Sequence, residues 1–364
     1  MDYADRRRRL LKQLKAQSLP GLLVTNETNV SYLTGFSGDS STLYLSPPET
    51  VIISDARYAE QLETECADLR VEIRTTTTKM HEAVASVLSA AGARQVGLEA
   101  AAVTWDFLNA LKGQEQVKQV EFVATSGLVE GLREIKDRHE IEAIRVAIDC
   151  AQRAFGILRA SLRPDLTEKQ VADDLEFRIR TLGGTCGSFP AIIGVGPRAA
   201  LPHGTPSEKR IGESEFVLVD WGARVNGYVS DLTRVLVTGK IPPKLERLYG
   251  VVLTAQLAGI EAIRPGAKMK DVDAAARNVI AKAGHGKQFG HSLGHGIGRN
   301  VHESPRLASD QERELAAGMV VTVEPGVYIP GWGGIRIEDD ILVTKTGHEV
   351  LSSVPKRFED CVLL

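Results

Sequence analysis

Residues 216–237, "FVLVDWGARVNGYVSDLTRVLV", read as two apolar strands folded back on each other around Asn226-Gly227. Asn-Gly suits a two-residue type I′ turn, in which both central positions take positive φ. That turn sets the register, with Val225 opposite Tyr228, Gly222 opposite Asp231 and Asp220 opposite Thr233. Asp220 and Asp231 then project from one face, diagonally across the two strands and about 7–8 Å apart at the backbone. Two bare carboxylates in that position repel and one takes up a proton. A divalent cation between them removes the conflict.

A second stretch repeats the design. In "MVVTVEPGVYIPGWGGIRIEDDILV" (319–343) an apolar strand ends in Glu324, a Gly/Pro-rich turn follows, and Glu338 opens an apolar return strand. The repetition suggests two pseudo-symmetric half-domains whose four carboxylates meet in one site. Five of the eight histidines lie between 203 and 302, four of them in "GHGKQFGHSLGHGIGRNVHE". His291 and His295 have i, i+4 spacing, but Ser292 stands where HExxH requires Glu and the glycines oppose a helix, so that zinc-peptidase motif fails. The glycines also miss GxGxxG and a phosphate loop. One histidine with four carboxylates is an oxygen-rich set, suited to a pair of Mn²⁺, Co²⁺, Fe²⁺ or Zn²⁺ ions. Two metals about 3.5–4 Å apart can share a bridging water, lower its pKa and aim it at a polarised carbonyl, which is hydrolytic chemistry.

The remainder of the chain frames this site. Its 364 residues are 43% hydrophobic and 25% charged with a net charge of −3, which points to a globular protein with no strong field for nucleic acid or membrane. The run Arg6–Arg9 opens a helix-like stretch, and a solvated helix face is expected for it. Four scattered cysteines fit neither a disulfide framework nor a thiolate metal site. With no leader-like opening and no apolar run near ~20 residues, a soluble cytoplasmic protein is expected. Strand-like segments at 21–25, 42–46 and 50–54 and helical spacing at 56–66 and 80–91 indicate a small α/β domain over 1–129. From 130 to 364 the pattern is α+β. A long amphipathic helix follows residue 130, a second starts at the capping box Thr167/Gln170, and a third group covers about 243–264 and 268–283.

Asp220, Asp231, His295, Glu324 and Glu338, with "VDWGARVNGYVSDLTR", "GHGIGRNVHE", "VEPGVY" and "IRIEDDILVT" around them, resemble the creatinase/aminopeptidase P/prolidase family of pita-bread metallopeptidases. The resemblance spans essentially the whole chain and implies an α/β N-terminal domain before a pseudo-two-fold pita-bread catalytic domain. It implies that Asp220 holds one metal, His295 and Glu324 the other, and that Asp231 and Glu338 bridge. Glu324 resembles the family's proton shuttle. His302 and His203 resemble the histidines that hold the substrate carbonyl and the tetrahedral intermediate, His291 a substrate-pocket histidine, and Arg336 the arginine that orients the site. Tyr32 has two readings, a reach into a neighbouring subunit's site or an ordinary core position.

Within the family, creatinase-type members lack these ligands and methionine aminopeptidases usually lack the N-terminal domain. Xaa-Pro peptidases remain. Their specialisation has a chemical reason: an Xaa-Pro bond offers no N–H, so peptidases that bind an extended strand through that N–H cannot use it. The expected activity is dinuclear-metal-dependent hydrolysis of Xaa-Pro dipeptides (prolidase), with Mn²⁺ foremost. Arg306 is the candidate cation for the free proline carboxylate. Aminopeptidase P activity on longer peptides is the alternative, and a non-catalytic peptide- or partner-binding module is the alternative from another class. Proline-containing di- or short peptides are the expected ligands, nucleic acid and membrane are not, and a homodimer or higher homo-oligomer is expected.

Overall fold

The computed structural model describes residues 1–363. The chain divides into two compact units, the first ending at Arg133 and the second beginning at Glu134.

The first unit is a mixed six-stranded sheet in the order Arg70–Arg74, Thr50–Asp55, Thr42–Leu45, Leu22–Val24, Gln95–Glu99, Glu121–Thr125. Successive residues of a strand face opposite sides, and here both sides are covered. Leu22 and Val24 join Leu10 and Leu14 of the helix Tyr3–Ala16 in one core, while Leu23 joins Val84 and Leu88 of the helix Met80–Ala90 in the other. The segment at 56–66 begins as a 3₁₀ turn, Ala56–Tyr58, before the helix Ala59–Glu65. Leu128, Val129 and Leu132 are buried in the core that contains Leu10, which carries this unit past residue 129 to Arg133.

The arginine run corrects the expectation of a solvated face. Arg8 and Arg9 are exposed, but Arg6 and Arg7 are only 2% and 7% exposed. Arg6 Nη1 donates to Tyr32 O at 3.0 Å and Arg7 Nη1 to Leu33 O at 2.9 Å, so two cations cover carbonyls at the C-terminal end of the helix Glu27–Thr34. Arg6 also lies 4.1 Å over the Tyr32 ring. Tyr32 is fully buried in the core of this unit.

The second unit is two like halves. The first has the helices Arg138–Ser161 and Glu168–Thr181, each opened by a capping box, Asp137/Glu140 and Thr167/Gln170. They cover the sheet of Ile192–Val195, Phe216–Trp221 and Leu232–Val237. Val217, Val219 and Trp221 face these helices, with Trp221 stacked 4.1 Å from Phe155. Phe216 and Leu218 point the other way, into the core with Tyr249 and Val252 of the helix Pro243–Glu261, and Asp220 follows them on that side. The second half pairs this helix with Met269–Lys282 and has a five-stranded sheet in the order Glu303–Leu307, Gly294–Gly296, Val320–Val323, Asp339–Val343, His348–Val350. The halves are stitched by a bridge between Thr233 and Glu338.

The 216–237 hairpin has the register its turn demands. Val225 pairs with Tyr228 and Thr233 with Asp220, and both turn residues have positive φ, 49° at Asn226 and 77° at Gly227. The ladder breaks at Gly222, where a Cβ would lie 1.9 Å from Ser230 O. Only a residue without a side chain allows the backbones to approach this closely, and beyond it the hairpin tip joins a separate sheet with Cys186–Gly187.

Candidate metal centre

Five elements of the second unit deliver the expected ligands. Asp220 is the last residue but one of its strand and Asp231 precedes the next, while in the second half Glu324 follows one strand and Glu338 precedes the other, where Val323 pairs with Asp339. His295 lies on the strand Gly294–Gly296, whose glycines permit close packing: a Cβ on Gly294 would lie 2.0 Å from Thr322 O.

Asp231, His295 and Glu338 offer ligand atoms that all lie within 4.8 Å of one another. His295 Nε2 lies 3.3 Å from Glu324 Oε1 and 3.7 Å from Asp231 Oδ2. Its Nδ1 is 3.1 Å from Gly296 O, which accepts the Nδ1–H and aims Nε2 at the carboxylates. Asp220 Oδ2 accepts from Arg336 Nη2, whereas Asp220 Oδ1 is buried with no hydrogen-bond donor among the described residues. A buried, unsatisfied carboxylate oxygen beside three further acids and an imidazole nitrogen is a donor set that fits divalent cations.

The electrostatics agree with that fit. Burial, then repulsion from Glu338, Asp220 and Glu324, holds the Asp231 carboxyl well above its ordinary range. Burial, then Glu324 and Asp220, does the same to Glu338. Burial raises Asp220 against the opposing pull of Arg336. Glu324 also resists burial but settles below its usual value, because His295 hydrogen-bonds to it and attracts it. Acids crowded until they prefer to be neutral are the acids that a bound cation would return to their charged form.

Around the ligands lies a layer that sequence reasoning largely missed. Thr233 Oγ1 donates to Glu338 Oε2 at 2.6 Å and accepts from Arg336 Nε at 3.0 Å. Thr322 Oγ1 accepts from His295 N at 3.1 Å and donates to Glu324 Oε1 at 3.3 Å. Asp340 Oδ2 accepts from Asp231 N at 3.1 Å, and burial pushes its carboxyl up to about 8. Thr233 could have been found, since the hairpin register already placed it opposite Asp220. Thr322 and Asp340 carry no comparable local signal.

Arg336 is 3% exposed and also donates Nη1 to Tyr328 OH at 2.7 Å. An arginine only donates, so the Tyr328 hydroxyl donates its hydrogen bond to His291 Nε2, 3.0 Å away, and His291 keeps the Nδ1–H that reaches Ser292 O at 2.8 Å. Burial lowers the His291 pKa and pushes the Tyr328 phenol up to about 12. Tyr328, in the "VEPGVY" segment, was not singled out by its spacing.

The remaining candidates sit at the edge. The exposed His302 packs its ring 4.3 Å from that of His295, and burial of part of the ring, then His295, depresses its pKa. His203 is exposed. Arg306 pairs in register with His295, but its guanidinium grips Asp310 at 2.8 and 2.7 Å in an exposed pair. The cysteines are all free, and no helix of the described residues is long and apolar enough to cross a membrane.

Residues 142–345 match the model of metallopeptidase family M24 and residues 6–135 that of the creatinase/prolidase N-terminal domain. The chain belongs to family M24, its second unit being the pita-bread catalytic domain, and the family implies a dinuclear metal site for which Asp231, His295 and Glu338 are candidate ligands. An Xaa-Pro dipeptidase from Bacillus anthracis superposes with a TM-score of 0.93 at 38% identity, over 99% of this chain and 100% of that one. An X-Pro aminopeptidase from Thermotoga maritima gives 0.89 at 30% identity, over 97% and 99%. An Xaa-Pro dipeptidase of Pyrococcus horikoshii is 34% identical over 96% of this chain and 97% of its own.

Proposed function

We propose that this metallopeptidase hydrolyses Xaa-Pro bonds, with Xaa-Pro dipeptides as its preferred substrates. The observation that carries the reading is the meeting of His295 Nε2, Asp231 and Glu338 within 4.8 Å, with Glu324 in reach and Asp220 Oδ1 unsatisfied. Two divalent ions bound by Asp220, Asp231, His295, Glu324 and Glu338 would polarise the scissile carbonyl and make a water nucleophilic near neutral pH. The oxygen-rich donor set favours Mn²⁺.

The chain's own groups do the rest. Glu324 accepts the proton of the attacking water and returns it to the proline nitrogen as the bond breaks. His302 and His203 donate to the carbonyl oxygen as charge develops there. Arg336 and Thr233 hold Asp220 and Glu338 in place. His291, with both ring nitrogens engaged, serves as a pocket wall.

The names of the relatives point both ways on substrate length, dipeptidase in Bacillus and Pyrococcus and aminopeptidase in Thermotoga. For a dipeptide, Arg306 would exchange Asp310 for the proline carboxylate. The existing Arg306–Asp310 pair is the observation that favours aminopeptidase P instead. Comparing kcat/KM of the Mn²⁺-loaded enzyme for Xaa-Pro and Xaa-Pro-Xaa decides it, a higher value for the tripeptide overturning the dipeptidase reading. Free cysteines fit a reducing cytoplasm. The expected homo-oligomer is tested by sedimentation equilibrium.

A further inference from the structure

Glu168 is the first residue of the helix Glu168–Thr181, and its side chain is fully buried. That helix does not need it, because Thr167 accepts from Gln170 N and Gln170 returns a bond to Thr167 N. Burying a carboxylate is costly unless every lone pair is used. Here they are used elsewhere. Oε1 accepts from Val195 N at 2.8 Å, and Oε2 accepts from Arg198 Nε at 2.7 Å, Ser207 N at 2.8 Å and Ser207 Oγ at 2.6 Å.

These donors stand at the two roots of one loop, 195–207, "VGPRAALPHGTPS". Arg198 crosses the loop to Thr205 O at 2.5 Å, and a turn from Leu201 O to Gly204 N carries His203 at its crest. The first part of the loop is anchored by Ala199, 2% exposed in the core with Phe216 and Ile335, whereas around His203 apolar burial is slight: Leu201 is 50% exposed, and Arg336 Nη2 reaches Pro202 O at 3.4 Å. One carboxylate therefore gathers both ends of the loop on which His203 rides. The second half does the same with a different acid: Asp273 of its second helix accepts from Leu293 N at 3.0 Å and grips Arg277, which donates to His291 O at 2.7 Å. Each half thus uses a buried acid on its second helix to fix a histidine-bearing segment.

We propose that Glu168 is a positioning residue for His203, acting through the loop 195–207. This rests on the reading of His203 as a donor to the scissile carbonyl. A carboxylate with four donors holds the loop in one geometry, and a displacement of about 1 Å at a reacting group costs on the order of 100-fold in rate.

The test is a double-mutant cycle in the Mn²⁺-loaded enzyme on an Xaa-Pro dipeptide, using Glu168→Gln, His203→Ala and the pair. Glutamine presents an N–H₂ where a carboxylate oxygen met donors, so Glu168→Gln should lower kcat by about 10- to 100-fold with metal content unchanged. In the His203→Ala background the same change should cost less than about twofold, because the group it positions is already gone. Losses that multiply, or metal loss in Glu168→Gln, overturn the proposal while the function reading stands. A silent His203→Ala removes the role of His203, and the proposal with it. Should Glu168→Gln fail to fold, Ser207→Ala withdraws one donor from the loop side. It should show a smaller kcat loss that is again erased by His203→Ala, and a loss that persists overturns the proposal.

Discussion

The hydroxyl of Thr233 lies 2.6 Å from Glu338 Oε2, and the backbones of these two residues form the bridge that joins the half-domains. A single contact therefore links the Asp220/Asp231 hairpin to a carboxylate of the other half. It also accepts from Arg336 Nε, so two groups of the centre, Glu338 and Arg336, depend on one hydroxyl.

Thr233→Val keeps the shape and removes that hydroxyl. Glu338 loses a donor and Arg336 Nε an acceptor, both in a buried site. Metal affinity should fall by about 10- to 100-fold, the usual range for losing a partner that orients a ligand. Calorimetric titration with Mn²⁺ measures this, and wild-type affinity would mean that the bridge backbone alone places Glu338.

Asp231→Asn replaces a carboxylate central to the cluster with an amide that compensates no cation. Activity should vanish and bound metal should fall. In the wild type, metal bound only by the folded state raises the thermal midpoint above that of chelator-treated protein. In Asp231→Asn that gap should shrink, and near-normal turnover with both metals retained would sink the ligand assignment.

Arg306→Ala addresses substrate length. With dipeptides preferred, KM for Xaa-Pro should rise far more than for Xaa-Pro-Xaa, because only the dipeptide presents its carboxylate beside the leaving group. Equal changes for both would leave Arg306 as nothing more than the partner of Asp310.

Asp55, in the first unit, accepts from Arg57 Nε at 2.9 Å and from Arg74 Nη2 at 2.9 Å, and the Arg57 hydrogen bond draws its carboxyl down to about 2. A depressed folded-state pKa means that the unfolded chain binds the proton first as pH falls. The stabilisation is thus present above the unfolded value of ~3.9 and is lost as pH falls toward about 2. The difference in urea midpoint between wild type and Asp55→Asn should be constant near neutrality and close between about pH 4 and pH 2. A difference that persists undiminished at pH 2 would show that neutral contacts carry it.

The amino-acid sequence by itself determined what local chemistry can determine. Asn226-Gly227 takes the positive φ of a tight turn, and from that turn the pairing of Asp220 with Thr233 follows by counting. Thr167 and Gln170 close a helix start within four residues, and strand alternation puts each acid on a known face. Each of these outcomes depends on neighbours a few residues apart, so spacing suffices. Only the tertiary structure decided where the remaining polar groups are satisfied. Arg6 and Arg7 leave solvent for the carbonyls of Tyr32 and Leu33, 26 residues away in each case. Thr322, Asp340 and Tyr328 become parts of the centre through strands brought together by packing. Glu168 spends its charge on Val195, Arg198 and Ser207, which no helix pattern reveals. The physical reason is common to all of them: a buried polar group must find its partner wherever the chain places one, and apolar packing of whole elements, which sets that place, leaves no trace in local spacing.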